Sequence, residues 1–459
     1  MACRGLVIAG THSGVGKTSV TLSAVAALRR RGYRVQTFKV GPDYLDPTYL
    51  ALASGRPCYN LDGWIMGKDY VLRLFSRVTS NADIAVIEGV MGLFDGSDPS
   101  SLEGSTAQIA VWLNLPVILV VNAHGMAQSL AAQVEGFAHF DKEVSIRAVV
   151  ANHCGSRRHA AWIRESLASR SLPDLLGAIP RGAWPELPSR HLGLITADHR
   201  LMGPGFFAPF ADVFERCASP DALRELACEP GQMVRSEPEK KTPAQSATLG
   251  VARDDAFHFY YQDLFDELEA RGCRLQFFSP LADDGLPEGI DALMIGGGYP
   301  EEYAGELSAN QAILAAIRGF VLSGRPVYAE CGGLMYLSSG IESRTGERFA
   351  LAGILPVWTK MLERRKALGY REAKLLEDSM WGESGAVFRG HEFHYSEPAG
   401  GPMGGWRALY SLQRRGSDQQ AQEGWRRGNV SASYVHLHLA SRPEALEHFL
   451  NWRQRKDET

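Results

Sequence analysis

The chain lacks a strong charge bias, a long apolar run and any paired-cysteine motif. Its 459 residues carry a formal net charge of only −4, so nothing in the composition favours a nucleic acid or a membrane surface as a partner. No apolar run approaches the roughly 20 residues that are needed to cross a bilayer. With 45% hydrophobic and 22% charged residues, the composition is that of a globular protein with material for two or three domains.

Cysteine usage argues against a disulfide framework and against a zinc site. The seven cysteines are odd in number, and none belongs to a CxxC pair. They predict reduced thiols in a cytoplasmic protein. The first residues, MACRGLVIAGTHSG, pass from a short apolar stretch straight into a glycine loop and contain no small-residue cleavage site. We therefore expect a buried strand there and not a signal peptide.

The first half of the chain alternates apolar runs with helical patterns. These runs are too continuous for half-exposed strands, which favours a parallel sheet covered on both faces. Residues 17–31 place their apolar side chains on one side and predict a crossover helix. Together these patterns predict a doubly wound α/β domain. The predicted strands cover 5–10, 33–40, 82–89, 116–123 and 146–153.

A change of composition divides the chain near residue 235. The segment RSEPEKKTPAQSAT is polar, contains two prolines and has almost nothing to bury, which is typical of a linker. We predict a P-loop α/β domain over 1–232, a linker over 233–246 and a second α/β domain over 247–459. The second domain has predicted strands at 248–254, 274–280, 292–298 and 326–331, and predicted helices near 260–271 and 308–323.

The segment GTHSGVGKTSV, at 10–20, has the features of a loop that binds nucleotide phosphates. Gly14 and Gly16 let the backbone come close to a phosphate, Lys17 can reach the β- and γ-phosphates, and Thr18 can supply a hydroxyl to Mg²⁺. The strict pattern would place glycine at position 11, where this chain has Thr11. A plain glycine-rich turn is the alternative. The complete GVGKTS core between a strand and a helix favours the phosphate loop.

Acidic and polar side chains follow two other strands of this half, in KVGPDYLDP and IEGVMGLFDG. Ligands of open α/β sheets bind at the carboxyl ends of the strands, and carboxylates there can hold Mg²⁺ beside a phosphate. A solvated loop or a helix cap is the alternative for any one acid. Asn152 ends a further strand, where it could donate to an adenine edge or act as a cap. The five groups are Asp43, Tyr44, Asp46, Glu88 and Asp95.

The segment PVYAECGG predicts a sharp strand-to-helix turn that presents Cys331. A cysteine beside a helix N-terminus is favoured as a thiolate, and such a turn is typical of a nucleophile. Gly297 and Gly298, in IGGGYPEEY, offer backbone N–H groups for an oxyanion. A late strand over 433–441 places His436 and His438 on one face, so an imidazole is available to the thiol. A buried structural thiol is the alternative.

Seven segments of the chain, taken together and in their order along the sequence, resemble the cobyrinate a,c-diamide synthases of cobalamin biosynthesis. The P-loop alone is also found in dethiobiotin synthetase and other P-loop proteins, and the cysteine region alone resembles any class I glutamine amidotransferase domain. The combination is much more specific, and it runs nearly end to end. The segments are GTHSGVGKTS, KVGPDYLDP, EGVMGLFDG, GGGYPE, AECGGLMYL, RGHEFHYS and SYVHLHL.

The resemblance implies a carbon–nitrogen ligase with two chemistries. The P-loop domain would use Mg-ATP to phosphorylate the a- and c-acetate carboxylates of cobyrinate, because a bare carboxylate is a poor electrophile. The C-terminal domain, of the class I glutamine amidotransferase type, would release ammonia from glutamine, and the acyl phosphate would accept it. By position, nucleotide binding falls on Lys17 and Thr18. Substrate and metal roles fall on Asp43, Tyr44, Asp46, Glu88 and Asp95, with Thr18 and Glu88 as the metal ligands.

The resemblance also assigns Cys331 as the nucleophile and His436 as the group that activates it. Ordinary class I glutaminase domains have a glutamate two residues after this histidine, but here the residue is His438. The usual third member is missing, as in this subfamily, so slow or tightly coupled glutaminase activity is one expectation. The segment RGHEFHYS either faces the macrocycle or forms a structural polar cluster. Its ionisable residues are His391, Glu392 and His394.

Three alternatives stay open at this point. The same chemistry could act on hydrogenobyrinate or nickel-sirohydrochlorin, since both rings carry acetate side chains. A nucleotide switch or partition-type scaffold is an alternative of another class. Partition-type ATPases carry a second lysine near the start of the P-loop, where this chain has His12, which argues against a scaffold. A homodimer is one option for assembly, but no pattern determines the oligomeric state.

Overall fold

The computed structural model describes residues 3–190, 193–194, 202–203, 205–231, 247–401 and 403–452. The chain forms two compact units, Met1–Glu237 and Pro238–Thr459. The predicted linker over 233–246 lies outside the described residues.

The first unit is built on a parallel sheet. The helices are α1 Lys17–Arg30, α2 Asp46–Ser54, α3 Gly63–Met66, α4 Lys68–Thr79, α5 Thr106–Leu113, α6 Gln128–Phe140, α7 Arg157–Ala168, α8 Ala208–Cys217 and α9 Pro220–Leu226. The strands are β1 Arg4–Gly10, β2 Val35–Val40, β3 Tyr59–Leu61, β4 Ile84–Glu88, β5 Val117–Asn122, β6 Ile146–Cys154, β7 Asp174–Pro180, β8 Ser189–Arg190 and β9 Gly193–Leu194. The first seven strands form the sheet in the order β3-β2-β4-β1-β5-β6-β7, and every pairing in it is parallel.

Helices cover both faces of this sheet, as the continuous apolar runs predict. Leu6 and Ile8 of β1 pack into a core that includes α1 and α8. Val7, between them, is equally buried on the other side of the strand. On β2, Phe38 stacks on Phe75 of α4 with a ring-centroid distance of 5.0 Å. The five predicted strands and the crossover helix are therefore confirmed, and the doubly wound sheet brings the carboxyl ends of β1, β2 and β4 to one edge.

The second unit combines a parallel and an antiparallel half in one sheet. Its helices are α10 Gln262–Ala270, α11 Ala304–Ala309, α12 Gln311–Leu322, α13 Gly332–Leu337 and α14 Glu444–Trp452, with 3₁₀ turns at Pro300–Tyr303 and Leu439–Ser441. Its first strands are β10 Ala247–Ala252, β11 Phe257–Phe259, β12 Cys273–Phe278, β13 Ala292–Ile295, β14 Gly297–Gly298, β15 Val327–Glu330, β16 Ser338–Glu342, β17 Arg348–Ala350 and β18 Leu355–Met361. The later strands are β19 Ala367–Leu375, β20 Val387–His394, β21 Ser396–Pro398, β22 Arg407–Arg414, β23 Gln420–Arg427, β24 Val430–Ser433 and β25 His436–His438.

The ten-stranded sheet has the order β12-β10-β13-β15-β24-β23-β22-β19-β20-β25. Pairings from β12 to β24 are parallel, and those from β24 to β25 are antiparallel. Alternate residues of β15 serve two cores, with Val327 and Ala329 on one face and Tyr328 on the other. Three of the four strands predicted for the second unit are confirmed. The fourth, predicted over 292–298, is divided at Gly296 into β13 and β14, and β14 pairs with β11 in a separate two-stranded sheet. The antiparallel part of the ten-stranded sheet was not predicted.

Two further predicted elements of the second unit are wrong in extent. The helix predicted near 308–323 is divided at Asn310, whose side chain accepts a hydrogen bond from the N–H of Ile313 and begins α12. The predicted late strand over 433–441 is also divided. Ser433 ends β24 in the middle of the sheet, and β25 lies at its far edge, beside β20.

Candidate active site

The loop between β1 and α1 has the backbone shape that a phosphate loop requires. Gly14 and Gly16 have φ angles of 79° and 98°, which are left-handed values that favour glycine. A Cβ on Gly16 would overlap the side-chain amide of Asn152. Lys17 begins α1, and its Nζ donates to the carbonyl oxygens of His12 at 3.2 Å and Met91 at 2.5 Å. The lysine therefore lies across the loop, at the helix N-terminus.

Asn152 contacts the loop from the end of β6. Its Nδ2 donates to the carbonyl oxygen of Val15 at 2.9 Å, and its Oδ1 accepts from Trp184 Nε1 at 3.0 Å. The side chain is fully buried. In this structure Asn152 supports the phosphate loop through its hydrogen bond to Val15. The contact with an adenine edge stays a prediction.

The hydroxyl of Thr18 connects the loop to the carboxylates. Its Oγ1 donates to Glu88 Oε1 at 2.8 Å, and Asp46 Oδ2 lies 3.5 Å away. Glu88 ends β4 and is completely buried. Burial raises the pKa of Glu88 to about 7. The structure thus brings three of the predicted groups together at the carboxyl ends of adjacent strands.

A buried lysine lies at the centre of this cluster. Lys39 Nζ donates to Asp46 Oδ2 at 2.5 Å and to Glu88 Oε1 at 2.8 Å, and Asp43 Oδ2 lies 3.8 Å from it. Burial acts to lower the pKa of Lys39, but the charges of Asp46 and Glu88 outweigh it and raise the pKa well above its usual value. The same charge keeps the pKa of Asp46 low in spite of burial. Lys39 therefore neutralises part of a concentrated negative charge.

The remaining predicted groups of this half lie around the cluster. Asp43 Oδ1 accepts from the N–H groups of Leu45 and Asp46 at 2.8 and 3.1 Å, at the start of α2. Burial, with the charge of Asp46, raises the pKa of Asp43. Tyr44 is mostly buried beside it. Asp95 accepts from the N–H of Gly92 at 2.8 Å, in a loop that is hydrogen-bonded to the end of β1.

Cys331 occupies a strained turn between β15 and α13. Its φ of 47° and ψ of −101° are unusual for a residue with a side chain, and such strain is typical of a nucleophile elbow. Gly333 must be glycine, because a Cβ there would overlap the carbonyl oxygen of Ile295. A Cβ on Gly332 would lie 3.1 Å from the backbone nitrogen of Gly298, so the glycine strand β14 lies directly against the turn.

The imidazole of His436 lies against the same glycine strand. A Cβ on Gly297 would overlap His436 Cε1. The ring stacks on His391 at a centroid distance of 5.0 Å, and its Nδ1 lies 3.8 Å from Glu330 Oε2. Burial, followed by the neighbouring His391, lowers the pKa of His436 well below its usual value. Burial raises the pKa of the Cys331 thiol, so thiol and imidazole are both neutral at rest.

No hydrogen bond joins Cys331 Sγ to an imidazole within the described part of the chain. Cys331 as a whole residue is 5% exposed, and its Sγ donates to the carbonyl oxygen of Phe393 at 4.0 Å. Its backbone N–H donates to Ser433 at 2.7 Å, the residue that ends β24. The turn at Cys331 and the ring of His436 therefore both lie against the glycine strand β14.

The segment RGHEFHYS is divided between two environments, because successive residues of β20 point to opposite faces. His391 faces His436, on which it stacks, and Tyr261 Oη lies 3.3 Å from the Nδ1 of His391. On the other face, Glu392 accepts from Arg371 Nε at 2.5 Å, and His394 Nε2 lies 3.7 Å from Glu392 Oε1. Both residues of that face line an open cleft of about 710 Å³.

Family models match both halves of the chain. Residues 6–195 match a CobQ/CobB/MinD/ParA nucleotide binding domain, and residues 248–444 match a CobB/CobQ-like glutamine amidotransferase domain. A protein named cobyrinate a,c-diamide synthase from Syntrophotalea carbinolica is 51% identical over 457 residues, which are 98% of this chain and 99% of that protein. The chain belongs to the cobyrinate a,c-diamide synthase family.

Other members of the family support the assignment over the same length. The cobyrinate a,c-diamide synthases of Leptospira interrogans (strain Fiocruz L1-130) and Salmonella typhimurium are 41% and 40% identical, and the matches cover 98% and 97% of this chain. The corresponding shares of those two proteins are 98% and 97%. As a member of the cobyrinate a,c-diamide synthase family, the chain is an amide-forming ligase, and the scaffold alternative is not favoured. No helix in the described ranges is long and apolar enough to span a membrane.

Sequence reasoning missed two charged residues of the candidate sites. Lys39 is the next-to-last residue of the buried strand VQTFKV, and Glu330 ends the buried strand VYAE. A charged residue inside a predicted buried strand is the signal that could have found both. A lone charge cannot be buried without a partner, so each one indicates an unseen contact.

Proposed function

We propose that this chain uses ATP and glutamine to amidate the a- and c-acetate carboxylates of cobyrinate. The main support is that relatives named cobyrinate a,c-diamide synthase match the chain nearly end to end, at 37–51% identity. Each unit also has its own candidate site, one with charged groups around a phosphate loop and one with a thiol in a strained turn. Amidation needs both an activated acid and a nitrogen nucleophile, so each site would supply one of the two reactants.

In the first unit, we assign the phosphate loop to ATP. The backbone N–H groups at Gly14 and Gly16 and the ammonium of Lys17 would hold the phosphates, as the helix N-terminus favours. A substrate carboxylate oxygen attacks the γ-phosphorus, the bond to the bridging oxygen breaks, and ADP leaves. The resulting acyl phosphate is attacked by ammonia at its carbonyl carbon, and phosphate leaves as the amide forms. Lys17 stabilises the charge that develops during the transfer.

The residues around Thr18 fit a Mg²⁺ ion that accompanies the nucleotide. Glu88 Oε2 is buried and has no hydrogen-bond partner within the described residues, so a carboxylate oxygen is left to coordinate a cation. Thr18 Oγ1 lies 2.8 Å from the other oxygen of Glu88. A bound Mg²⁺ would neutralise charge on the phosphates. Thr18 and Glu88 would hold it, and Lys39 keeps the surrounding carboxylates in place.

Four side chains beside this cluster are proposed to face the acidic substrate. Asp43 and Asp46 are held at the start of α2, and Asp95 lies in the loop next to the end of β1. Tyr44 can donate a hydrogen bond to a propionate or acetate oxygen. Asp43 has a raised pKa, so its protonated form could also donate to a carboxylate.

In the second unit, we assign Cys331 as the nucleophile that releases ammonia from glutamine. His436 takes the thiol proton, and the sulfur attacks the carbon of the side-chain amide. The N–H groups of Gly297 and Gly298 are proposed to bind the oxyanion of the tetrahedral intermediate. The carbon–nitrogen bond breaks, and the leaving nitrogen receives the proton from His436 as ammonia. Water then hydrolyses the thioester to glutamate and restores the thiol.

The resting thiol and imidazole are both neutral, because burial raises the pKa of Cys331 and lowers that of His436. Both shifts oppose transfer of the thiol proton to the ring, so the transfer needs groups that stabilise the thiolate and imidazolium that it creates. Release inside the protein also has a chemical reason, because free ammonia at neutral pH is mostly ammonium, which is not a nucleophile.

Mass spectrometry of tetrapyrroles after incubation with ATP, Mg²⁺ and glutamine tests the proposal. We expect cobyrinate to lose two acids and gain two amides. Hydrogenobyrinate and nickel-sirohydrochlorin are the competing substrates in parallel incubations. Amidation of one of these rings without amidation of cobyrinate would contradict the proposed substrate. ATP hydrolysis that is independent of glutamine and of every tetrapyrrole would contradict the ligase mechanism.

A further inference from the structure

The position that usually supplies a carboxylate to the catalytic histidine holds His438, and this side chain is committed elsewhere. Its Nδ1 accepts a hydrogen bond from the N–H of Ala440 at 3.2 Å. Its Nε2 lies 3.4 Å from Asp263 Oδ2 of α10. His438 therefore faces α10, and it cannot replace an acid that orients His436.

Glu330 lies where such an acid is needed. It ends β15 and directly precedes Cys331, and the whole residue is only 4% exposed. Its Oε1 accepts from Tyr328 Oη at 2.7 Å and from the N–H of Leu437 at 3.0 Å. Those two bonds fix the carboxylate plane, and they leave Oε2 at 3.8 Å from His436 Nδ1. The acid is thus attached to the nucleophile's strand and hydrogen-bonded to the histidine's strand.

We propose that Glu330 is the positioning carboxylate of the glutaminase site, acting through His436 in place of the acid usually found two residues after the histidine. This inference rests on the proposed glutaminase roles of Cys331 and His436. Glu330 favours the proton on Nδ1, so that the Nε2 lone pair is the one that takes the thiol proton. It also stabilises the imidazolium that exists between proton uptake and proton delivery to ammonia. Glu330 itself neither gains nor loses a proton in the cycle.

The length of the contact agrees with a resting site. At 3.8 Å the Glu330–His436 contact is electrostatic, and an approach of about 1 Å is needed to form a hydrogen bond. Catalytic hydrogen bonds are often long before substrate binds and shorten in the reacting complex. Stacking on His391 and the close backbone of Gly297 hold the His436 ring beside the Glu330 carboxylate.

The groups that face Glu330 leave it as the one that titrates near neutral pH. Burial raises the pKa of Glu330 to about 7. Burial also raises the pKa of each tyrosine around it and of the Cys331 thiol, so all of these stay protonated. The pKa values of His436 and His391 are lowered, so both rings stay neutral. The tyrosines are Tyr260, Tyr328 and Tyr410.

This predicts the direction of the pH profile. A carboxyl with a raised pKa is neutral below that pKa and ionised above it. Only the ionised form attracts the Nδ1 proton, so glutamine hydrolysis should rise as pH increases through about 7. Burial also raises the pKa values of Glu301 and Glu423 to about 7, and the charge of Glu301 acts on the Cys331 thiol. The limb is therefore assigned to Glu330 by its loss when the Glu330 carboxyl is removed.

The test compares Glu330→Gln with Glu423→Gln in the full chain. Glutamine keeps the shape of Glu330 and an acceptor for Tyr328 and Leu437. Glu423 is a matched control, because its pKa is also raised by burial to about 7 and it accepts hydrogen bonds from Ser433 and Tyr434. Glutamate release from glutamine is measured from pH 5.5 to 9 beside ammonia-dependent synthesis, and the release is followed with and without tetrapyrrole.

For Glu330→Gln, we expect kcat for glutamate release to fall at least about 10-fold, KM for glutamine to change little and the rising limb to disappear. Glu423→Gln should keep the limb, and ammonia-dependent synthesis should be unchanged in both variants. A Glu330→Gln variant that keeps both wild-type kcat and the rising limb would overturn the proposal. Glutamate release without amidation of any tetrapyrrole would contradict the proposed function and leave the comparison of the two variants intact.

A measurement on the unmodified protein keeps the inference falsifiable if Glu330→Gln does not fold. Nitrogen-15 NMR of histidine-labelled protein, with the His436 signals assigned by difference from His436→Gln, reports the tautomer. We expect the neutral ring to carry its proton on Nδ1 above pH 7. A proton on Nε2 would rule out Glu330 as the orienting acid.

Discussion

The two sites of this ligase manage buried ionisable groups in opposite ways. In the phosphate-loop unit, the ammonium of Lys39 lies within hydrogen-bond distance of Glu88 and Asp46, so charge is kept and compensated. In the amidotransferase unit, burial drives Cys331 and His436 toward their neutral forms. The central groups of both clusters are at most 5% exposed, so for them the difference lies in the partners and not in solvent access.

The difference follows from the chemistry of each half-reaction. Phosphoryl transfer moves a highly charged group and needs fixed charges that are already in place. Attack by sulfur needs the thiolate, so the proton of the neutral thiol has to move to the imidazole when substrate is bound. The comparison therefore predicts that substitutions in the two units have separable effects on the two half-reactions.

The largest expected effect is that of Cys331→Ala. Glutamine-dependent amidation should fall by at least about 10⁴-fold, because removal of a nucleophile leaves no covalent route. Ammonia-dependent amidation should remain, since the charged site is untouched. Amide formation with glutamine and with ammonium chloride is compared by mass spectrometry. Equal loss with both nitrogen sources would break the division between the sites.

Lys17→Ala should follow in size. We expect synthesis to fall about 10³-fold with either nitrogen source, because the γ-phosphate loses its cation during transfer. The exposed Lys142→Ala, in the loop before β6, is the matched control and should behave as wild type. ADP release coupled to amide formation is the measurement. Retained synthesis in Lys17→Ala would refute the assignment of the phosphate loop.

Glu88→Gln tests the role of charge itself. Synthesis should fall about 10- to 100-fold, because the amide cannot replace an anionic metal ligand. Burial raises the pKa of Glu88 to about 7, so in wild type the ionised form, and with it the apparent affinity for Mg²⁺, should increase as pH rises from 6 to 8. The variant should lose this pH dependence while it still binds nucleotide. An unchanged pH dependence of Mg²⁺ activation would exclude Glu88 as the ligand.

Asp43→Asn provides the companion measurement on the substrate side. Asparagine keeps an oxygen for the N–H groups of Leu45 and Asp46, so α2 should form normally. We expect a roughly 10-fold lower kcat for synthesis, through lost orientation of the acid, with nucleotide binding retained. A loss of nucleotide binding would instead place Asp43 with the phosphate loop.

The smallest expected effect separates the two interpretations of Asn152. Loss of its hydrogen bond to Val15 should weaken the loop by about 1 kcal/mol and raise KM for ATP several-fold in Asn152→Ala. A bracing role predicts the same loss for ATP and GTP. A contact with the adenine edge predicts that the preference for ATP over GTP is lost. Nucleotide titrations in the presence of Mg²⁺ distinguish the two.

Local pattern was sufficient for the elements that carry the sites. Lys17, Thr18 and Glu88 were predicted because a phosphate loop and a strand end are contiguous stretches of sequence. Cys331 was predicted because it follows an apolar strand and directly precedes two glycines, which is the pattern of a tight strand-to-helix turn. The antiparallel half of the second sheet escaped prediction, because its strands between 367 and 427 are partly exposed and lack the continuous apolar runs of the parallel strands.

By itself, the sequence determined which chemistry each unit offers, because the glycine spacing and the acids at strand ends are local motifs that can be recognised in short segments. Only the tertiary structure decided the partners of the charged groups. Lys39 meets Glu88 across 49 positions of the chain, and the carboxyl of Glu330 meets the backbone of Leu437 across 107. Such pairings depend on which strands become neighbours in the fold. The energetic cost of burying an unpaired charge implies that a partner exists, but it does not identify the partner.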